Sequence, residues 1–435
     1  MEKLTNRLIV ISFDGLSTLD FEQMRALPNF GEFINNAAYC KEITSIYPTL
    51  TYPAHTSIVT GKYPKNHGVI NNTLLQPGRH SADWYWYRKY VKGDTLYDLA
   101  INKGMKVAAL LWPVTAGSQI HYNMPEIFAN RPWQNQIMVS LFAGSPKYQL
   151  QMHRRFGHLM QGAKQPNLDN YTHQSLLYTL KHIQPELTLV HYTDLDSMRH
   201  YNVFYSKEAK EALQRHDTRL GEIIRLLKQE KLYEDSTVVL LGDHSSLDED
   251  KIIYLNRLFK EQGWMEQNKK GHIIKWRAIC KTCDGSAYVY MKNRNDSKLK
   301  QEIKDLLEAF NQKYGCLEKI YSGREAAEMG ADPTCTWMLE ANKGYYFLDD
   351  AEEEVIRQIQ PGEAGKVPHI TVNTHGYSPF KPNYTTVFLA AGKGIKKGTV
   401  VEKMRLIDEG PTLARLLGVS LRGADGHLIQ EMLDF

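Results

Sequence analysis

Short apolar runs that stop at acids set the rhythm of this chain. Residues 8–13 are apolar or β-branched apart from Ser12, and Asp14-Gly15 ends them. That is the pattern of a strand buried on both faces of a parallel sheet. Residues 187–192 repeat it and run into Thr193, Asp194, Leu195 and Asp196. Residues 236–241 do so again, ending at Gly242-Asp243-His244. Further strands are expected over 106–112 and 386–391. Between them the period becomes helical. Residues 18–38 read as mostly helix with a break at Pro28, and 94–103 as a helix closed by Gly104. Residues 206–231 form a long helix with Leu213, Leu220, Ile223, Ile224 and Leu227 on one face. Residues 408–417 close the chain as a helix. This β–α–β alternation predicts an α/β fold with a mostly parallel central sheet. Ligands of such sheets gather beyond the C-terminal ends of the strands.

Residues 245–367 interrupt the alternation, with a strand at 286–291, a charged helix at 296–313 and the pair Cys280/Cys283. We expect a catalytic core of residues 1–250 and 366–435 with a smaller subdomain, 251–365, inserted. A chain of 435 residues has room for both. There is no internal repeat and no Walker loop; Gly392-Lys393-Gly394 lacks the Lys-Ser or Lys-Thr at the required spacing.

Composition narrows the picture little. With 42% hydrophobic residues, 23% charged and a net charge of +4, the chain is ordinary for a soluble globular protein and gives no case for binding a nucleic-acid polymer. No signal-peptide pattern is visible, and the apolar run 107–114 is far short of a membrane span, so a cytoplasmic location is expected. Five cysteines, an odd number, argue against a disulfide framework. Cys280-Lys-Thr-Cys283 lacks the second pair a zinc ribbon needs, and Cys316 and Cys335 are poorly spaced to replace it.

The densest signal lies in residues 47–72, YPTLTYPAHTSIVTGKYPKNHGVINN. Pro48 and Pro53 bracket Thr49 and Thr51, and a helix follows. Pro in a first helical turn sacrifices no hydrogen bond. Thr51 therefore sits where a loop becomes a helix N-terminus, a place that favours anions. It is a candidate phosphate-binding or phosphoryl-accepting group, or an ordinary cap. Acids and histidines meanwhile collect at strand ends: Asp14; Asp196 and His200, four apart; Asp243-His244; and His375 ahead of the strand at 386–391. Imidazole nitrogen and carboxylate oxygen are common zinc ligands. Two such ions about 4 Å apart clamp the attacking and leaving oxygens of a phosphoryl displacement, and one of them can activate a threonine hydroxyl. The aromatics Tyr52, Trp84, Trp86 and Trp112 offer surfaces for a ring or base.

VISFDG, PTLTYPAHTSIVTGKYPKNHGV, YTDLDSMRH, LLGDHSSL, NTHGYSP and DEGPTLARLLGV, in that order and spacing, resemble the nucleotide pyrophosphatase/phosphodiesterase (type I phosphodiesterase) family of the alkaline phosphatase superfamily. The likeness runs nearly end to end. It implies an alkaline phosphatase-like three-layer α/β sandwich. It also implies two divalent metal ions, Zn2+ first among them, and a small-molecule phosphodiester or nucleotide substrate cleaved through a threonyl-phosphate intermediate. By position it makes Thr51 the nucleophile, with Thr49 the lesser candidate, and Asn72 the group that stabilises the phosphoryl oxygens. Asp196, His200 and His375 would hold one ion. Asp14, Asp243 and His244 would hold the other, facing Thr51. Tyr52, Asn72 and Trp112 are the expected substrate contacts.

Leu50, Tyr52 and Ala54 stand where the family typically has Lys, Phe and Asn, and Ser245-Ser246 replaces a Gly-Met type of pair. These differences leave every ligand in place and bear on substrate preference. The chain looks like a compact bacterial member rather than a secreted animal one with added domains. The nucleophile loop lacks the Cys or Ser and the Arg of a sulfatase. No arginine is placed by motif for a terminal phosphate dianion, which favours a diester or phosphonate monoanion. A phosphonoacetate hydrolase-like or phosphomonoesterase activity on the same site, and a metal-independent binding protein, are the alternatives.

Overall fold

The strands of the main sheet are, in chain order, β1 (Arg7–Phe13), β2 (Ala38–Thr44), β3 (Val107–Leu110), β4 (Tyr122–Met124), β5 (Leu187–Tyr192) and β6 (Ser236–Leu241), with Thr386–Gly392 and Met404–Arg405 returning late. The computed structural model describes residues 1–79, 81–351 and 353–435. Across the sheet the order is Met404–Arg405, β2, Thr386–Gly392, β6, β1, β5, β3, β4. β6, β1, β5, β3 and β4 are mutually parallel. Thr386–Gly392 runs antiparallel to both β6 and β2, so the sheet is mixed on that side.

The alternation of side chains along β1 separates two cores. Leu8 and Val10 pack with Ala54 and Ile58 of the helix Thr51–Thr60 and with Leu406 and Leu413 of the helix Leu406–Leu416. Ile9, Ile11 and Phe13 face the other way, against Phe30, Leu176 and the long helix Lys207–Gln229. On that helix Leu213, Leu220, Ile223 and Leu227 are buried, while Ile224 is half-buried at the edge of the stripe. The result is a helix–sheet–helix sandwich, a three-layer α/β fold of the expected class with a mostly parallel sheet.

After β6 the chain leaves this sheet through β7 (Leu247–Ile253), which runs across the boundary expected near residue 250. β7 pairs with Gly344–Phe347, Ile356–Gln358 and Asn373–Thr374. Beside it, Ala278–Cys283, Ser286–Met291, Trp337–Ala341 and Leu317–Ser322 form a four-stranded antiparallel sheet, covered by Leu299, Ile303, Leu307 and Phe310 of the helix Ser297–Tyr314. Cys280 and Cys283 point to opposite faces of this sheet, into different cores, so the pair cannot share an ion. All five thiols are free and buried. No helix among the described residues is long and apolar enough to cross a membrane.

Candidate active site

The strand order accounts for the convergence of the site. β6, β1 and β5 are parallel neighbours, so their C-terminal ends meet. Asp14 follows β1, and Asp243 and His244 follow β6. The helix Asp194–Tyr201 begins just after β5, and its 3.6-residue turn puts Asp196 and His200 on one face. His375 arrives from the excursion, because Asn373–Thr374 pairs with β7, the strand that leaves directly after β6. At Gly376 φ is +86°, and a Cβ there would meet the carbonyl oxygen of Cys283, so the turn after His375 requires glycine.

The six residues fall into two groups. Ligand atoms of Asp196, His200 and His375 lie within 4.8 Å of one another, and so do those of Asp14, Asp243 and His244. The groups adjoin: the rings of His244 and His375 stack with centroids 3.9 Å apart. Second contacts fix how the imidazoles face. His200 Nδ1 donates to Asn373 O at 2.7 Å and His375 Nδ1 to Thr49 O at 3.1 Å, which turns each Nε2 toward the site. Gly15 N–H donates to Asp243 Oδ1 at 3.1 Å. Asp14 Oδ1, Asp196 Oδ1 and Asp243 Oδ2 are buried without a hydrogen-bond partner.

Such a cluster needs a cation. Burial, together with the Asp243 and Asp196 charges, raises Asp14 well above the usual carboxylate range. Burial raises Asp243 to about 6. Burial lowers His244 and His375 to about 4, so both are neutral at pH 7. At the other group burial opposes the charged forms of His200 and Asp196. Their mutual attraction wins, raising His200 to about 10 and lowering Asp196. Three crowded carboxylates with unpartnered oxygens and three histidines of mixed protonation fit divalent ions of nitrogen- and oxygen-ligand type.

Thr51 is the first residue of the buried helix Thr51–Thr60, and its Oγ1 lies 3.2 Å from His244 Nε2. Thr49 is differently placed. Its hydroxyl donates to Tyr377 O and accepts from Gly376 N–H, tying the loop to the segment after His375. Asn72 Oδ1 accepts from Tyr52 N–H at 2.9 Å, so its Nδ2 amide remains as a free donor beside Thr51. Tyr52 is buried, its hydroxyl donating to Glu126 and its ring edge-on to Trp84. Trp112 lies beneath the site and not at its surface: it is fully buried and packs edge-on against His55 at 4.8 Å. A substrate contact for this ring does not match that position.

The layer under these acids and histidines escaped sequence reasoning. His55 donates from Nδ1 to Thr51 O and accepts at Nε2 from Ser12 Oγ. His191 bridges Asp14 Oδ2 at 3.1 Å and Glu126 Oε2 at 3.3 Å. His55 had a signal, since it stands four residues after Thr51 in a predicted helix. His191 had only its polarity within an apolar strand, and Glu126 had none.

Residues 8–378 match the family described as type I phosphodiesterase / nucleotide pyrophosphatase. The chain belongs to that family. It is similar to the human ectonucleotide pyrophosphatase/phosphodiesterase family member 1, 28% identical over 246 residues that cover 53% of this chain and 22% of the relative. Human family member 5 matches over 441 residues at 20% identity, covering 98% and 78%. The bovine bis(5'-adenosyl)-triphosphatase matches over 444 residues at 22%, covering 97% and 81%. Among the curated relatives, this chain thus spans 22% of human member 1 and 26% of mouse member 3. The solved structure of murine member 5 superposes with a TM-score of 0.66 at 18% identity, covering 98% of this chain and all of that one. An inactive threonine-to-alanine form of the murine protein, in complex with AMP, gives 0.67 at 18% identity, covering 99% of this chain and all of that one.

Proposed function

We propose that this chain hydrolyses a phosphodiester or a nucleotide pyrophosphate through a covalent threonyl-phosphate, with two divalent metal ions, Zn2+ first among them. One observation carries the reading: two adjoining groups of three ligand-type residues, with Thr51 Oγ1 3.2 Å from His244 Nε2 at a helix N-terminus. Asp196, His200 and His375 would hold one ion, and Asp14, Asp243 and His244 the other. The ions would supply Lewis acidity, making the Thr51 hydroxyl and a water more acidic and offsetting phosphoryl charge.

The residues then divide the work. Thr51 Oγ1 attacks phosphorus in line; an Oγ1–P bond forms as the bond to the leaving oxygen breaks, releasing an alcohol or a phosphate. Asn72 Nδ2 donates to the phosphoryl oxygens, held in place because its Oδ1 is occupied by Tyr52 N–H. Water next breaks the Thr51 ester and restores the hydroxyl. Arg199 does not offer a second charge to a dianion: it is buried, donating to Gly15 O and ion-paired with Asp20. That favours a diester monoanion over a monoester. The AMP complex of the murine relative and the name of the bovine triphosphatase favour a nucleotide.

The test compares bis-p-nitrophenyl phosphate with p-nitrophenyl phosphate in one preparation, before and after chelation and zinc return. Faster, zinc-restored diester cleavage is expected, and Thr51→Ala should abolish it while the protein stays folded and metal-loaded. Wild-type turnover by Thr51→Ala removes the nucleophile assignment. Preference for the monoester overturns the substrate class.

A further inference from the structure

The helix Gln136–Ala143 turns most of its large apolar side chains to the outside. Its inward side carries only Val139 and Ala143 as apolar contacts, with half-buried Ser140 beside them accepting at Oγ from Gln136 Nε2, which also donates to Ile127 O. Its outward side carries Ile137, Met138 and Phe142, the last 82% exposed, and Trp133 just before the helix is 80% exposed. An ordinary surface helix turns these faces the other way, and a grouped apolar patch of this kind marks an interaction surface.

Charge indicates what covers it. Between Glu126 and Asp169 the sequence has no Asp or Glu, but has Arg131, Lys147, Arg154, Arg155 and Lys164. The next helix, Pro146–Phe156, is joined to the first by Gln149 Nε2 donating to Ser140 O. Lys147, Leu150 and Arg154 follow one another at helical spacing along its exposed stripe. Lys147, Arg154, Arg155 and Lys164 are exposed, and none pairs with a carboxylate among the described residues. A second copy of the chain would set this acid-free surface against itself, cation to cation. A surface of anionic lipid headgroups over an apolar interior complements both halves of it, with Trp133 of the type that settles at the headgroup level.

We propose that the surface formed by Trp133, Ile137, Met138, Phe142, Lys147 and Arg154 docks the protein on anionic membranes. The helix is tied toward the candidate site by Gln136, which bonds Ile127 O; the next residue, Phe128, packs on Trp84 and Trp86, and Trp84 on Tyr52. The inference stands on this surface alone and does not depend on the reaction catalysed.

The test is flotation of the full chain with vesicles of phosphatidylcholine alone and of equal parts phosphatidylcholine and phosphatidylserine. Binding to the anionic vesicles, weakened by salt, is expected. Phe142→Ser should weaken it about tenfold, and Lys147→Glu with Arg154→Glu should abolish it. Both variants change exposed side chains, and circular dichroism with the melting temperature reports their folding. Absence of binding to anionic vesicles, or equal binding by Phe142→Ser, overturns the proposal. So does light scattering that shows a dimer dissociated by Phe142→Ser.

Discussion

Single side chains in this site are set by what holds their other end. Asn72 is the clearest case. Its carbonyl oxygen is spent on Tyr52 N–H, so in the proposed reaction its amide nitrogen is the end left to meet substrate. Asn72→Asp preserves the acceptor and replaces the donor with an oxygen that repels phosphoryl charge. We expect kcat/KM to fall by about two to three orders of magnitude, with the melting temperature unchanged. Unaltered kcat/KM would remove Asn72 from the reaction. The convergence of these acids and histidines was legible from the sequence because each follows an apolar run or stands beside another such residue, as Asp14, Asp243-His244 and Asp196…His200 do. His191 and Glu126 were not. A histidine inside a buried strand reads as core, and the contact of Glu126 with it depends on an irregular stretch after β4. Trp112 shows the opposite error: an aromatic at a strand end invites a pocket, yet hydrophobic packing places it under His55.

At the scale of an element, the helix Asp194–Tyr201 carries two of the three residues of one candidate metal group, and its geometry has a pH consequence. His200 Nε2 lies 2.9 Å from Asp196 Oδ2. Burial lowers the imidazole and the carboxylate more than offsets it, so His200 stays protonated up to about pH 10 when no ion is bound. A cation taking the Nε2 lone pair must expel that proton. Below pH 10, then, binding releases at least one proton, and apparent affinity rises about tenfold per pH unit through this group. Calorimetric titration with zinc in two buffers of different ionisation enthalpy, at pH 7 and 8, measures both quantities. No proton release and pH-independent affinity would separate His200 from the ion. Helix and strand identities were mostly readable at this scale, since the runs are long and strongly patterned. The direction of Thr386–Gly392 was not: its apolar run looks the same parallel or antiparallel, and only the route of the excursion decides it.

The whole molecule meets at the same place. Asp14, Asp243 and His244 belong to the central strands, Asp196 and His200 to the helix after β5, and His375 to the segment returning from the second sheet. Thr49 adds a tether, bonding through its hydroxyl and its carbonyl to the 375–377 turn. Without cations this junction concentrates three buried carboxylates, each with one oxygen that lacks a hydrogen-bond partner, an arrangement that opposes folding. Divalent ions held there would reverse the sign and join the core to the returning segment. A ligand at a hundred times its dissociation constant stabilises the native state by about 2.7 kcal/mol per site. Two sites on a chain of this size should raise the melting temperature by roughly 5 °C. Scanning calorimetry of the chelated protein, with and without zinc, reads the shift. His375→Asn should remove about half of it, because it disables one group and leaves Asp14, Asp243 and His244 intact. A full shift in that variant would mean that the ion does not bridge the core and the returning segment. No shift in the wild type would mean that the two groups hold no ion.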